Sequence, residues 1–137
     1  YFQVQAAQVS QRTVAESPAR YGATAVLGSR QPDPIGVAIV RILGLRLRQA
    51  YGQRLRGVYL FGSRARGDHE PDSDVDVLIV LDWIDGYGHD LRLSSDAVSD
   101  LSLASGLSIS RVLASESSWR ERDRPFLRSI APDAVAV

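Results

Sequence analysis

The sequence predicts a single small α/β (or α+β) domain, and three observations support this class. Short, almost continuous apolar runs, such as DVDVLIVL, have the length and composition of buried strands. They alternate with stretches whose apolar residues recur at helical spacing. The 137 residues, 45% of them hydrophobic, are enough for one core, and the lack of cysteine excludes both a disulfide framework and a thiolate metal site.

The N-terminal half is predicted to contain an extension, a helix and two strands. Residues 4–31 are polar and rich in Ala and Gln, while residues 1–3 resemble the remnant of a protease-site tag, so we place an N-terminal extension at residues 1–31. Asp33 suits the N-cap of a helix over residues 35–50, with Pro34 at its first position. The segment RGVYLF is the first predicted strand and DVDVLIVLDW is the second.

The C-terminal half is predicted to add a helix, a strand and a short closing helix. The first of these helices covers residues 89–104, and its inward residues are predicted to be Leu93, Ala97, Leu101 and Leu103 or Ala104. LSISRVLA is the third strand, SESSWRER a short helix capped by Ser115 or Ser117, and RPFLRSI a last turn. The folded domain then spans residues 32–131, followed by a loose C-terminal tail at residues 132–137.

Charge is unevenly distributed although the net charge is zero. Residues 1–66 hold ten arginines against two acidic residues, and residues 67–115 hold ten acidic residues against two arginines. The zero net charge and the lack of aromatic residues among the arginines of the first helix argue against a nucleic-acid partner, so those arginines indicate a face toward an acidic partner. No apolar run approaches the roughly 18 residues of a membrane span, and no signal peptide opens the chain, which makes the cytoplasm the expected compartment.

A Gly-Ser pair and an Asp-x-Asp pair form the most informative pattern. Gly62 directly follows the first strand, where it permits a sharp turn, and Ser63 suits the N-cap of a short helical turn whose amides can bind phosphate. Ten residues separate Ser63 from Asp74, and the side chains of Asp74 and Asp76 share one face of a strand. Two carboxylates on one face repel each other unless a cation lies between them, and oxygen ligands suit Mg²⁺ or Mn²⁺. The pattern therefore predicts phosphoryl or nucleotidyl transfer.

Other interpretations of this segment fit less well. Asp68, Glu70 and Asp72 are typical of a solvated loop. A calcium loop starting at Asp68 would require glycine at Ser73 and glutamate at Ile79, and the chain has no Gly-Lys-Ser/Thr of a Walker A loop.

Arg64 and Arg66 flank the predicted phosphate turn, and two roles remain open for them. They can contact the triphosphate of a nucleotide, or they can form surface ion pairs with Asp68 or Glu70.

The segment LFGSRARGDHEPDSDVDVLIV resembles the minimal nucleotidyltransferases of the DNA polymerase β superfamily. The residues that match the family's motif are Gly62, Ser63, Ala65, Arg66, Gly67, Ser73, Asp74 and Asp76. Over residues 34–130 the resemblance implies a polymerase-β-like fold, a small mixed sheet with flanking helices. It also implies that ATP is the substrate, that Asp74 and Asp76 hold Mg²⁺ or Mn²⁺, and that Gly62 and Ser63 position the β- and γ-phosphates.

The same resemblance implies a protein partner. Many relatives are antitoxins that silence a small helical ribonuclease toxin of the HEPN type by transferring AMP to one of its tyrosines. The superfamily often has a third carboxylate on the neighbouring strand, where this chain has Ser108 and Ser110. The alternative is therefore a nucleotide-binding antitoxin that neutralises its partner by contact without turnover, and a structural metal-binding fold without a nucleotide is the third possibility.

Overall fold

The computed structural model describes residues 30–137, so the predicted extension lies outside the described residues except for its last two positions. The elements, in chain order, are α1 (Pro34–Tyr51), a 3₁₀ turn (Gly52–Arg54), β1 (Leu55–Phe61), α2 (Ser63–Arg66), β2 (Val75–Leu81), α3 (Tyr87–Arg92), α4 (Ser95–Ser105), β3 (Ile109–Ser115), α5 (Glu116–Glu121), α6 (Pro125–Ile130) and β4 (Val135–Ala136). Within this range, each helix is too short or too polar to span a membrane.

The four strands form one mixed sheet in the order β3-β2-β1-β4. β2 and β3 run parallel, and both pairs that involve β1 are antiparallel. A parallel pair needs a crossover connection, which α3 and α4 supply here. The predicted fold class, a small mixed sheet with flanking helices, is confirmed.

β2 is buried on both of its faces, which explains its almost continuous apolar sequence. Val75, Val77 and Ile79 belong to a core that α1 and α4 share with the sheet. Leu78 and Val80 belong to a second core on the opposite face, beneath α5 and α6. Among the seven residues of the strand, only Asp76 is polar and partly exposed, so it stands out from a strand that is otherwise built for burial.

α1 begins as the sequence predicts. The side chain of Asp33 accepts hydrogen bonds from the amides of Ile35 and Gly36 at 3.2 and 3.0 Å, with Pro34 at the first helical position. The buried side chains of the helix include Val40, Leu43 and Leu47, while a second apolar row remains exposed: Ile35, Ile42 and Leu45.

The single helix predicted over residues 89–104 is wrong, because the segment forms α3 and α4 with a break around Ser94. Arg111 of β3 inserts at this break, donating from Nε to Ser94 Oγ at 2.6 Å and from Nη2 to the Leu91 carbonyl at 3.0 Å. In a continuous α-helix the Leu91 carbonyl would instead accept from the amide four residues later. Ala97 is buried as predicted, but Leu93 is exposed, and so are Leu103 and Ala104, one of which is predicted to face inward.

The prediction of a loose tail at residues 132–137 is also wrong in part. β4 pairs with Tyr59 and Leu60 of β1, and the Val137 amide donates to the Val58 carbonyl at 3.0 Å. Two residues are too few to show the alternation on which strand prediction depends, so the sheet itself, not the local sequence, determines this strand.

Candidate functional site

Gly62 and Asp76 meet where β1 ends and β2 begins. The antiparallel register pairs Phe61 with Asp76, which brings the carboxylate beside the turn. Gly62 has a φ of +77°, and a Cβ atom at this position would lie 2.3 Å from Oδ2 of Asp76. Glycine is therefore required at this position for two reasons: the positive φ of the backbone and the close approach of the Asp76 carboxylate.

Replacing Gly62 with alanine should destabilise the protein and displace the Asp76 carboxylate, so that Mg²⁺-dependent ATP binding weakens by at least about tenfold. Gly106→Ala is the matched control, because Gly106 has a φ of +75° but no atom within 4 Å of an added Cβ. Calorimetric titration of ATP and thermal unfolding of both variants would separate backbone strain from the contact. Equal ATP affinity in Gly62→Ala and the parent protein would contradict the proposed geometry.

The two carboxylates form an electrostatically coupled pair. Burial and the neighbouring charge of Asp74 both raise the pKa of Asp76, and the Arg66 guanidinium opposes that rise. Asp74 is exposed and lies one residue before β2 begins. Since a cation would relieve this repulsion, Asp74 and Asp76 fit a divalent metal as two oxygen ligands. Within residues 30–137, no cluster of three or more His, Cys, Asp or Glu side chains is placed to hold a metal ion, so substrate phosphates and water would have to complete the shell.

The neighbouring strand β3 presents serine where the superfamily often has a third carboxylate. The parallel register pairs Ser110 with Asp76, and the Ser108 carbonyl accepts the Val75 amide at 2.9 Å. Ser110 is exposed, whereas Ile109 and Leu113 are buried, as the alternation of side chains along a strand requires. Ser110 is therefore the position on β3 nearest in register to the Asp-x-Asp pair.

Ser63 and Arg66 belong to the short helix that follows Gly62. The prediction that Ser63 is the N-cap is wrong, because Gly62 occupies the cap position and Ser63 is the first helical residue. Arg66 is exposed and pairs with Asp68 at 3.1 Å and with Asp133 at 3.9 Å. Of the two roles left open for Arg66, the structure shows the surface ion pair with Asp68, and the contact with a triphosphate stays a prediction.

Arg64 is a buried structural residue, with 2% of its surface exposed. Its Nη1 lies 2.5 Å from Oδ2 of Asp33. Its Nε donates to the Ser73 carbonyl and its Nη2 to the Pro71 carbonyl, both at 3.0 Å. These bonds hold the loop that leads into Asp74, and this geometry does not support the predicted contact of Arg64 with a phosphate.

Asp33 has a role in the site that the sequence did not reveal. Besides capping α1, it holds Arg64, and its own amide donates to the Arg64 carbonyl at 2.8 Å. Burial alone would raise the pKa of Asp33, but the hydrogen bonds from Arg64, Gly36 and Ile35 lower it on balance. The start of α1 is thereby joined to the loop before the carboxylate pair. The recognised N-cap was the available signal, but it does not indicate a second partner 31 positions away.

Comparisons with known proteins decide the family. The family described as nucleotidyltransferase domain matches residues 41–105, which include the Gly62–Ser63 turn and both carboxylates. A candidate protein adenylyltransferase of Methanocaldococcus jannaschii is 36% identical over 76 residues, which are 56% of this chain and 70% of that relative. The chain belongs to the nucleotidyltransferase domain family. The class of reaction predicted from the Gly-Ser and Asp-x-Asp pattern, nucleotidyl transfer, agrees with this assignment.

A solved structure supports the fold of this nucleotidyltransferase domain. The crystal structure of a candidate nucleotidyltransferase from Sulfolobus solfataricus superposes with a TM-score of 0.50 at 21% sequence identity. The similarity covers 74% of this chain and 80% of that one. The predicted nucleotidyltransferase fold is thus confirmed at the level of architecture.

Proposed function

We propose that this nucleotidyltransferase transfers AMP from ATP to a hydroxyl group of a partner protein, a tyrosine of a small helical HEPN-type toxin, and thereby acts as an antitoxin in the cytoplasm. The observation that carries the proposal is the coupled pair Asp74 and Asp76 beside the Gly62 turn. The name of the archaeal relative, a candidate protein adenylyltransferase, supports a protein as the acceptor. The described domain is also small, so an acceptor pocket supplied by a partner suits it.

In this proposal each residue of the site has its own role in the reaction. Asp74 and Asp76 hold a divalent cation, Mg²⁺ or Mn²⁺, which when bound would neutralise phosphate charge. Gly62 and Ser63 position the β- and γ-phosphates, and Arg66 offsets their remaining charge. The acceptor oxygen forms a bond to the α-phosphorus while the bond from that phosphorus to the bridging oxygen breaks. Pyrophosphate leaves, and the hydroxyl proton passes to solvent or to a group of the partner.

ATP labelled at either the α- or the γ-phosphate tests the reaction class. Incubation with a co-expressed HEPN-type partner should transfer label to the partner from α-labelled ATP only, because AMP stays on the acceptor and pyrophosphate departs. Mass spectrometry should then place AMP on a tyrosine. Label from the γ-phosphate alone would show phosphoryl transfer and contradict the proposal.

One observation favours a second function, a nucleotide-binding antitoxin that acts by contact without turnover. Ser108 and Ser110 stand where the superfamily often has a third carboxylate, and residues 30–137 hold no cluster of three metal-binding side chains. In the labelling experiment, this alternative gives no label from either phosphate, while the partner is still neutralised.

Ser110→Asp should speed the transfer at least about tenfold, because a positioned general base contributes roughly 10²–10⁴ in rate and position 110 lies in register with Asp76. Ser99→Asp, which adds the same charge on an exposed position of α4, should leave the rate unchanged. Initial rates at saturating ATP would measure both variants. A folded, ATP-binding Ser110→Asp variant with an unchanged rate would show that this position does not serve the reaction.

A further inference from the structure

A groove lined by arginines lies between α1, the first half of β1 and residues 136–137, and we call it the Arg41–Arg48 groove. Its volume is about 380 Å³, and its lining includes Arg41, Gly44, Leu45, Arg48, Arg56 and Val58. Val58 belongs to the core on the α1 side of the sheet, whereas Asp76 lies on the opposite face together with Leu78. The groove is therefore separate from the candidate site.

Two of these arginines have no acidic partner in the described part of the chain. Arg46 pairs with Asp100 at 2.9 Å and Arg56 approaches Asp82 at 3.7 Å, but within residues 30–137 neither Arg41 nor Arg48 forms an ion pair. Both are exposed. Seven positions apart on one helix, they lie on the same side with about 10 Å between their Cα atoms.

Between these two charges the lining includes apolar residues, and the groove has room for a side chain. Gly44 lies inside α1, where glycine weakens a helix, yet a Cβ atom there would meet nothing within 4 Å. Packing among the described residues therefore does not require this glycine, and its effect is to leave the groove open. Leu45, which is 69% exposed, lies at the rim, and Val40 contributes to the lining beneath.

We propose that the Arg41–Arg48 groove binds an acidic segment of a partner protein that carries two carboxylates about 10 Å apart with an apolar side chain between them. Arginine guanidinium groups match carboxylates in charge and geometry, and the apolar floor matches the intervening side chain. The aromatic residue in the lining, Tyr59, is half buried and packs on Trp119 with ring centroids 5.1 Å apart, so it is not free to stack on a base of RNA. The proposal rests on the proposed function only in taking the partner to be the protein that supplies the acceptor hydroxyl.

Fluorescein-labelled peptides of twelve residues would test this proposal. One series carries two glutamates with a leucine midway between them. The glutamates are four positions apart for an extended peptide, so that all three side chains share one face, or seven apart for a helical one. The control series has glutamine at both positions. Fluorescence anisotropy should show that one glutamate peptide binds at least about tenfold tighter than its glutamine counterpart, since hydrogen bonds to charged groups are strong, and that added salt weakens the binding.

Three variants of the protein locate the binding. Gly44→Leu fills the groove without changing charge, and the double variant Arg41→Glu with Arg48→Glu reverses its charge. Each should weaken binding of the selected peptide by at least about tenfold. Arg120→Glu is the control, because Arg120 is exposed on α5 and lies outside the groove, and it should bind the peptide as the parent does.

The outcomes distinguish this proposal from the proposed function. If no glutamate peptide binds better than its control, or if binding survives both groove variants, the proposal is overturned. A single-stranded RNA of twelve nucleotides that binds more tightly than every peptide, and loses binding in both groove variants, would assign the groove to RNA and overturn it as well. ATP binding and AMP transfer are measured in parallel. Loss of AMP transfer with intact peptide binding would contradict the proposed reaction but not the proposed binding of an acidic segment in the groove.

Discussion

Replacing Asp74 and Asp76 together with asparagine should abolish Mg²⁺-dependent binding of ATP and lower nucleotidyl transfer by at least roughly 10²-fold. The two side chains are the only pair of coupled carboxylates beside the Gly62 turn in the described structure, and burial together with the charge of Asp74 raises the pKa of Asp76. Asparagine keeps the size of each side chain but removes the charge that a divalent cation needs. Calorimetric titration of ATP with and without Mg²⁺ measures the effect.

The matched control for this prediction removes two charges elsewhere. Asp72→Asn with Asp96→Asn changes two exposed acidic residues, one in the loop before the site and one on α4. This variant should bind Mg-ATP like the parent protein. The assignment of the site would be wrong if the Asp74 and Asp76 variant bound Mg-ATP as tightly as this control. Because relief of the repulsion between the two carboxylates favours folding, the variant should unfold at the same temperature as the parent or slightly above it.

Arg64→Met should lower the free energy of unfolding by about 3–5 kcal/mol, because it leaves the Asp33 carboxylate buried without its partner. The same change frees the Pro71 and Ser73 carbonyls, so the loop that leads into Asp74 should lose its fixed position. ATP binding should therefore weaken even where the protein remains folded. Urea denaturation, followed by ATP titration in the absence of urea, measures both effects.

Two controls distinguish the stability lost with the buried ion pair from the effect of replacing any arginine. Arg46→Met breaks the exposed pair with Asp100 and should cost at most about 1 kcal/mol. Asp33→Asn combined with Arg64→Met completes a double-mutant cycle, and a coupling free energy near zero would contradict a structural role for the pair.

The contribution of Asp33, the acidic member of this pair, to the stability of the protein depends on pH. The pKa of Asp33 lies below its ordinary value of 3.8 in the folded protein, so its contribution to stability is present above pH 3.8 and is lost as the pH falls through the lower value. The difference in stability between the parent and Asp33→Asn should accordingly narrow in this acidic range.

The local sequence is sufficient to predict those features that short-range signals determine. Asp33 ahead of Pro34 marks the start of α1, and the apolar run after Asp76 marks a strand that is buried on both faces. The Gly62 turn and the carboxylate pair were also recognisable, because their spacing is itself the signal.

Contacts between residues far apart in the chain could not be predicted from the local sequence. Nothing in the residues around Arg64 reveals that its guanidinium is buried against Asp33, 31 positions earlier. The break between α3 and α4 depends on Arg111, which comes from the next strand and binds the Leu91 carbonyl. In each case a side chain from a distant element overrides the local preference, and the overriding partner becomes visible only in the folded chain.

The short strand β4 has a practical consequence for work with shortened chains. It covers Tyr59 and Leu60 on the outer side of β1. A chain cut after residue 131, the end of the domain predicted from the sequence, would expose the backbone groups of β1 as an unprotected sheet edge. Because an exposed apolar edge strand is a template for pairing with other chains, such a chain should aggregate during expression, even though the truncation removes neither carboxylate of the site.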